Sequence, residues 1–301
     1  MKRASASMNS FRASHVPDVP AARPNLQARL QNWRADLPLW SYHAVWCVPL
    51  IFVLGSSAVL LAWGVFAVYR PEAFIDSVPT ISETASRWPS SLVFQILIFA
   101  TVPCILVGWI LNYWMNRHRL DAVAGTADGV AVLRAVNFAA CALGIFAGLN
   151  LALLGVFKLH AGDWNHYLHL QLSKSFYGTQ VVAFLLDGWC AIRLRRICSG
   201  LDGPAERLSQ RSRAAVGICA AGSALFFLYL YVDRDAFDDR LLAQQVYVGT
   251  EYLLVILCLA YPVAPFPEAR QHFRRRAEIH LARSLPVPAV QRTGEAAASS
   301  A

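Results

Sequence analysis

Charged residues are scarce in this sequence. Asp, Glu, Lys and Arg make up only 15% of its 301 residues, whereas hydrophobic residues make up 56%. Soluble domains usually carry about 25% charged residues. This balance excludes an ordinary soluble domain with a charged surface, and it indicates that lipid surrounds most of the chain.

The sequence also lacks a disulfide framework and a CxxC pair, although it contains seven cysteines. All of them except Cys198 lie inside apolar stretches. The net charge of +8 comes from short clusters of Lys and Arg beside apolar stretches rather than from one basic face. We therefore expect membrane lipids as partners, and we expect no nucleic acid, cofactor or metal.

Six stretches are apolar and long enough to cross a bilayer as helices, which takes about 20 residues each. None shows the alternation of a barrel strand. The sequence therefore predicts an all-α fold, a bundle of six transmembrane helices at residues 43–69, 91–115, 129–157, 174–194, 214–232 and 244–264. Residues 1–42 are predicted to be a disordered cytosolic tail, and residues 265–301 a basic cytosolic tail.

The positive charges predict the orientation, because cytosolic connections retain Lys and Arg. Most of the 27 Lys and Arg residues lie in the two tails and in the second and fourth connections. The opposite side holds only Arg70, Arg87, Lys158, Lys174, Arg234 and Arg240. Both termini are therefore predicted to be cytosolic. Six spans agree with this orientation, because an even number of spans places both termini on the same side of the membrane.

Two ionisable residues lie at matching depth inside the predicted spans. Arg134 lies just inside the cytosolic start of the third span, and Asp187 lies about 10 Å from the cytosolic end of the fourth. A charge at membrane depth is costly unless it is paired. We expect an interhelical ion pair between them; the alternative is that each side chain extends separately to the interface.

A second carboxylate, Glu251, lies deeper, about seven residues below the extracytosolic start of the sixth span. Asn150 of the third span lies at similar depth. Together they predict a polar cavity that opens on the extracytosolic side. The alternative is a protonated Glu251 that is hydrogen-bonded for packing alone.

The third connection carries His160, Asp163, His166 and His169 at intervals of three residues. Steps of three drift around a helix, so at most two or three of them can share one ion, and headgroup contacts are the favoured interpretation. A catalytic triad of Ser82, His169 and Asp187 is excluded, because Asp187 is placed near the opposite side of the membrane.

The first extracytosolic connection reads Val78-Pro79-Thr80-Ile81-Ser82-Glu83-Thr84-Ala85. Its Pro-x-Ile-Ser-acidic motif resembles the Frag/DRAM/Sfk superfamily of six-span membrane proteins, and the similarity extends over residues 43–264. Further matches follow in the same order along the chain: Asn112-Tyr113-Trp114 with Arg117 and His118, Gly148-Leu149, Gly155-Val156-Phe157, His169 with Phe176, and Glu251-Tyr252.

The resemblance is to the branch that remodels the lipid of glycosylphosphatidylinositol (GPI) anchors more than to the DRAM branch, whose motif has Tyr before Ile and Asp after Ser. It implies a protein of the Golgi or endoplasmic reticulum that binds or presents the lipid of GPI-anchored proteins. The polar site implied for this lipid faces the lumen and comprises Pro79, Ile81, Ser82, Glu83, Asn150, His169 and Glu251. A purely structural connection, with Pro79 rigidifying it, is the alternative for the motif.

Other functions stay open. The chain has no serine elbow, no HxxxD pair and no phosphate-binding loop, so whether it catalyses acyl transfer is left open. One alternative is a DRAM-like endolysosomal protein that modulates autophagy or trafficking without catalysis. Another is a regulator of plasma-membrane lipid organisation, in which the clusters at Arg193–Arg196 and Arg274–Arg276 contact anionic lipid.

Overall fold

A computed structural model describes residues 40–75, 78–125, 129–159, 162–197, 203–232 and 240–284. Every regular element in these ranges is helical. The nine α-helices described there are α1 (Trp40–Ala44), α2 (Cys47–Tyr69), α3 (Ile81–Thr84), α4 (Ser90–Ala122), α5 (Val130–Val156), α6 (Asp163–Ile197), α7 (Pro204–Val232), α8 (Arg240–Ala260) and α9 (Phe266–Ser284). Short 3₁₀ turns at Pro71–Phe74 and Tyr261–Val263 follow α2 and α8.

Among the described residues, five helical segments are long and apolar enough to cross a membrane, which confirms the prediction of an all-α polytopic membrane protein. They are Ser41–Tyr69, Ser90–Ala122, Val130–Val156, Pro204–Leu230 and Leu241–Leu281. The predicted fourth span, 174–194, lies within α6, which does not meet the same criterion of apolar composition. The reason is visible in the packing: α6 contributes Gln180 and Asp187, and both are buried inside the bundle. These polar residues lower the mean hydropathy of α6, and mean hydropathy takes no account of their burial.

The long helices form a closed ring in chain order. Each of α2, α4, α5, α6, α7 and α8 packs against the next, and α8 packs back against α2. Gly144 allows a close approach between α5 and α4, because a Cβ atom there would lie 2.0 Å from the indole of Trp109. Large apolar side chains such as Leu60, Val68 and Phe138 are exposed on the outer face, as expected where lipid is the solvent.

The segment predicted as a C-terminal tail begins with a packed helix. α9 contacts α1, α4 and α7, and it buries Ala269 and Phe273 beside Leu111 and Met115. The guanidinium carbon of Arg270 lies 5.2 Å from the ring centroid of Trp46, a cation–π distance. Residues 1–39 of the predicted N-terminal tail and residues 285–301 lie outside the described residues.

A buried ionic network joins the helices at the end of the bundle where α9 packs. Arg213 of α7 is only 1% exposed, and it contacts Asp187 of α6 at 3.3 Å and Glu268 of α9 at 3.1 Å. Arg119 of α4 also pairs with Glu268. Further donors to Asp187 are Asn112 Nδ2 (2.7 Å) and Asn116 Nδ2 (3.2 Å), and Tyr261 Oη lies 3.0 Å from it.

This network corrects the predicted pair between Arg134 and Asp187, which does not form. Arg134 instead pairs with Asp121 near the end of α4, and Asp187 pairs with Arg213. Arg134 and Asp187 lie at a similar predicted depth, but they lie on helix faces that point towards different neighbours. Depth alone does not determine the face of a helix on which a residue lies. Arg213 was assigned to a connection in the sequence, yet it lies inside α7.

We expect Arg213→Met to lower the free energy of unfolding by roughly 3–5 kcal/mol, because Asp187 and Glu268 would lose a buried cation. Denaturant unfolding of the purified protein in mixed micelles measures this. The matched control is Arg211→Met, an exposed arginine on the same helix, which should change stability by no more than about 0.5 kcal/mol. Equal effects of the two substitutions would show that the buried network does not stabilise the fold.

Candidate functional site

The Pro79–Ala85 segment folds into a short capped helix. Thr80 precedes α3, and its hydroxyl accepts a hydrogen bond from the backbone N–H of Glu83 at 3.0 Å, which is a standard N-cap. At the other end, Ser90 at the start of α4 donates its hydroxyl to the carbonyl of Thr84 at 2.6 Å. Ile81 is buried in the core, so the segment is anchored to the bundle rather than exposed above it.

Two consecutive residues of α8 form hydrogen bonds to this segment. Glu251, which is 5% exposed, accepts a hydrogen bond from the backbone N–H of Ile81 at 3.2 Å. The hydroxyl of Tyr252 donates to the carbonyl of Pro79 at 3.3 Å. A carboxylate next to the first N–H groups of a helix satisfies donors that have no partner within the helix. The Glu251-Tyr252 pair therefore fixes the position of α3 relative to α8.

Ser82 and His169 meet beside Glu251. His169 Nε2 lies 3.1 Å from Ser82 Oγ, and Ser82 Oγ lies 3.4 Å from Glu251 Oε1. His169 Nδ1 lies 2.8 Å from the carbonyl oxygen of Phe157 at the end of α5. The structure thus brings Ser82, His169 and Glu251 together, although they are far apart in the sequence and belong to three different helices.

The remaining predicted site residues take other places. Pro79 and Ile81 contact the site through their backbone groups, and Glu83 contributes its N–H to the cap. Asn150, expected beside Glu251, lines neither of the two cavities that the structure describes at Glu251; its amide donates to Ser175 Oγ of α6 at 2.8 Å. The reason is again the helix face, because Asn150 points from α5 towards α6 rather than towards α8.

Two cavities meet at these residues. A small central cavity of about 60 Å³ is lined by five of the long helices of the ring, and a larger cleft of about 530 Å³ lies between α6, α7 and α8. Ser82, His169, Tyr177 and Glu251 line both of them. The walls of the cleft are mainly apolar, with Val181, Leu185, Ala224, Leu228 and Leu254 among its lining residues.

Sequence reasoning did not single out Ser173, Tyr177 and Val181, which also line the cleft. A signal for them was present: they follow His169 at intervals of four residues, which places all of them on one face of α6.

The histidine series of the third connection does not act as one group. His160 lies outside the described residues, His166 is exposed with Nδ1 3.2 Å from the carbonyl of Leu159, and His169 contacts Ser82. Chemically, the site offers a hydroxyl beside an imidazole nitrogen and a carboxylate at the mouth of an apolar cleft. Such a site suits a molecule with one polar and one apolar part.

We expect Glu251→Ala to loosen α3, because the buried N–H of Ile81 would lose its acceptor at a cost of roughly 1–3 kcal/mol. Hydrogen–deuterium exchange of residues 78–85 should become faster. Glu251→Gln retains a carbonyl oxygen as acceptor and should preserve most of the protection.

The control for this experiment is Gln245→Ala, an exposed polar-to-alanine change on the same helix, which should leave exchange in 78–85 unchanged. Unaltered exchange in Glu251→Ala would contradict the tethering role of Glu251.

The model of the family described as Frag1/DRAM/Sfk1/Cwh43P N-terminal domain matches residues 40–266. This match covers most of the chain, and the chain therefore belongs to this family. No curated protein and no solved structure shows significant similarity to it.

Proposed function

We propose that this member of the Frag1/DRAM/Sfk1/Cwh43P family binds the lipid of GPI anchors during its remodelling. One acyl chain of the lipid occupies the cleft between α6, α7 and α8, and the polar part that joins the chains contacts Ser82, His169 and Glu251. The observation that carries this proposal is the position of these three polar residues at the mouth of a cleft with apolar walls.

The size and shape of the cleft support a lipid chain as the occupant. Its volume of about 530 Å³ falls in the range of roughly 300–1,000 Å³ that is typical of small-molecule sites. It runs along three helices instead of crossing them, since its lining residues on α6 extend from His166 to Leu185. An extended apolar chain fits such a cleft, and a compact polar metabolite does not.

The proposal includes a topology of six spans with α6 as the additional one. Gln180 and Asp187 of α6 are buried inside the bundle, so they do not oppose insertion of this helix. The basic residues cluster at the end of the bundle that holds Arg213, whereas the Ser82 site lies at the end with few basic residues. By the positive-inside rule both termini are then cytosolic, and the site faces the lumen of the Golgi or endoplasmic reticulum.

A substitution that fills the cleft tests lipid binding. Ala224 of α7 lines the cleft, and we expect Ala224→Trp to reduce the binding of phosphatidylinositol at least about tenfold, because the indole would take the space of the chain. Native mass spectrometry with phosphatidylinositol added to the purified protein measures this.

Ala215→Trp is the matched control, because Ala215 is on the same helix and exposed. It should bind as much phosphatidylinositol as the wild type. Equal binding by Ala224→Trp and Ala215→Trp would show that the cleft is not the lipid site.

The GPI assignment has its own test in cells. The acyl composition of GPI-anchored proteins should change when the gene is removed, and the wild-type gene should restore it, whereas the Ala224→Trp variant should not. Unchanged anchors, together with residence of the protein in endolysosomes, would contradict the assignment and favour a trafficking role without catalysis.

A further inference from the structure

The contact between Ser82 and His169 has a defined direction. The carbonyl oxygen of Phe157 can only accept a hydrogen bond, so the proton of the neutral imidazole is on Nδ1, which lies 2.8 Å from it. Nε2 then carries the lone pair, and it faces Ser82 Oγ at 3.1 Å. The single proton of Ser82 has two acceptors within reach, and Nε2 is nearer than Glu251 Oε1, which lies 3.4 Å away. A serine hydroxyl that donates to an imidazole nitrogen, with the other nitrogen held by an acceptor, is the arrangement of an activated nucleophile.

The surroundings keep this pair in place. His169 is 6% exposed, and the carbonyl of Ser82 accepts a hydrogen bond from Ser86 Oγ at 2.6 Å. Ser86 Oγ also accepts the N–H of Leu159 at 3.1 Å, close to the residue that orients His169. The serine and the histidine are thus both tied to the chain that follows α5, Ser82 through Ser86 and Leu159 and His169 through Phe157.

A substrate would reach both residues from the lipid side. Ser82 and His169 line the apolar cleft as well as the central cavity. An acyl chain lying in the cleft would present its ester carbonyl at the mouth, where Ser82 is located. The apolar walls limit the access of water to that position, which favours transfer of the acyl group over hydrolysis.

We propose that Ser82 is the nucleophile of a lipid acyltransferase site, with His169 as its general base; this rests on the proposed lipid-binding function. Ser82 Oγ attacks the ester carbonyl of a membrane glycerolipid, and its proton passes to His169 Nε2. The ester C–O bond breaks, the lysolipid alcohol leaves with the proton from His169, and an acyl-serine remains. A second lipid alcohol then takes the acyl group, again deprotonated by His169, and Ser82 regains its proton.

Glu251 is a positioning residue in this scheme, because it holds the backbone of α3 through the N–H of Ile81. Serine hydrolases with a nucleophile elbow carry their serine in a short sequence motif. Here the proposed nucleophile is on a short helix between two spans, and the histidine comes from the start of another helix.

Labelling with a long-chain alkyl fluorophosphonate tests the proposal on the full-length protein in lipid nanodiscs. Attack by Ser82 forms a P–O bond and releases fluoride, and peptide mass spectrometry locates the adduct. We expect labelling of the wild type at Ser82, none in Ser82→Ala, and labelling slower by a factor of about 100 or more in His169→Asn. The Asn amide can still donate to the Phe157 carbonyl, so this variant keeps the fold contact while it removes the base.

Ser223→Ala is the matched control, because Ser223 is a serine of α7 that lines neither of the two cavities; it should label like the wild type. Binding of phosphatidylinositol is measured on the same samples by native mass spectrometry. Lipid binding by a wild type that is not labelled at Ser82, or equal labelling of His169→Asn, overturns the covalent step and leaves the proposed function standing. A wild type that binds no lipid overturns both.

Discussion

The hydrogen bond from the N–H of Ile81 to the carboxylate of Glu251 is the interaction on which the site depends. It joins a short helix between α2 and α4 to the middle of α8, across 170 positions of sequence. The other hydrogen bonds that the structure describes between α8 and this segment are longer, from Tyr252 to the carbonyl of Pro79 at 3.3 Å and from Ser82 to Glu251 at 3.4 Å. Since Ser82 contacts His169 only from that position, the same hydrogen bond also sets the geometry of the serine and the histidine.

Buried polar groups are partnered differently at the two ends of the bundle. In a lipid environment each buried polar group needs a partner inside the protein. At the Arg213 end, two carboxylates, two arginines and two asparagine amides pair with one another in a network that links four helices. At the Ser82 end, the polar groups meet at a cleft. The first arrangement is suited to stability and the second to binding.

Hydropathy predicted the helical class and most of the helices, because it depends only on composition along the chain. Depth in the membrane also followed from the sequence, so Ser82, His169 and Glu251 could be assigned to one end. The direction in which each side chain points could not be derived. For this reason Asn150 was expected beside Glu251, and Asp187 beside Arg134, whereas the structure pairs them with Ser175 and Arg213. α9 was missed because its many charges resemble a tail until its buried face is seen.

The central claim is that Glu251 brings Ser82 and His169 together, and chemical cross-linking in the native membrane tests it most directly. In a background without the native cysteines, Ser82→Cys combined with His169→Cys should be joined by a short bifunctional thiol reagent. Adding Glu251→Ala should abolish the cross-link. Absence of the cross-link when Glu251 is intact, or an equal yield after its removal, would contradict the account.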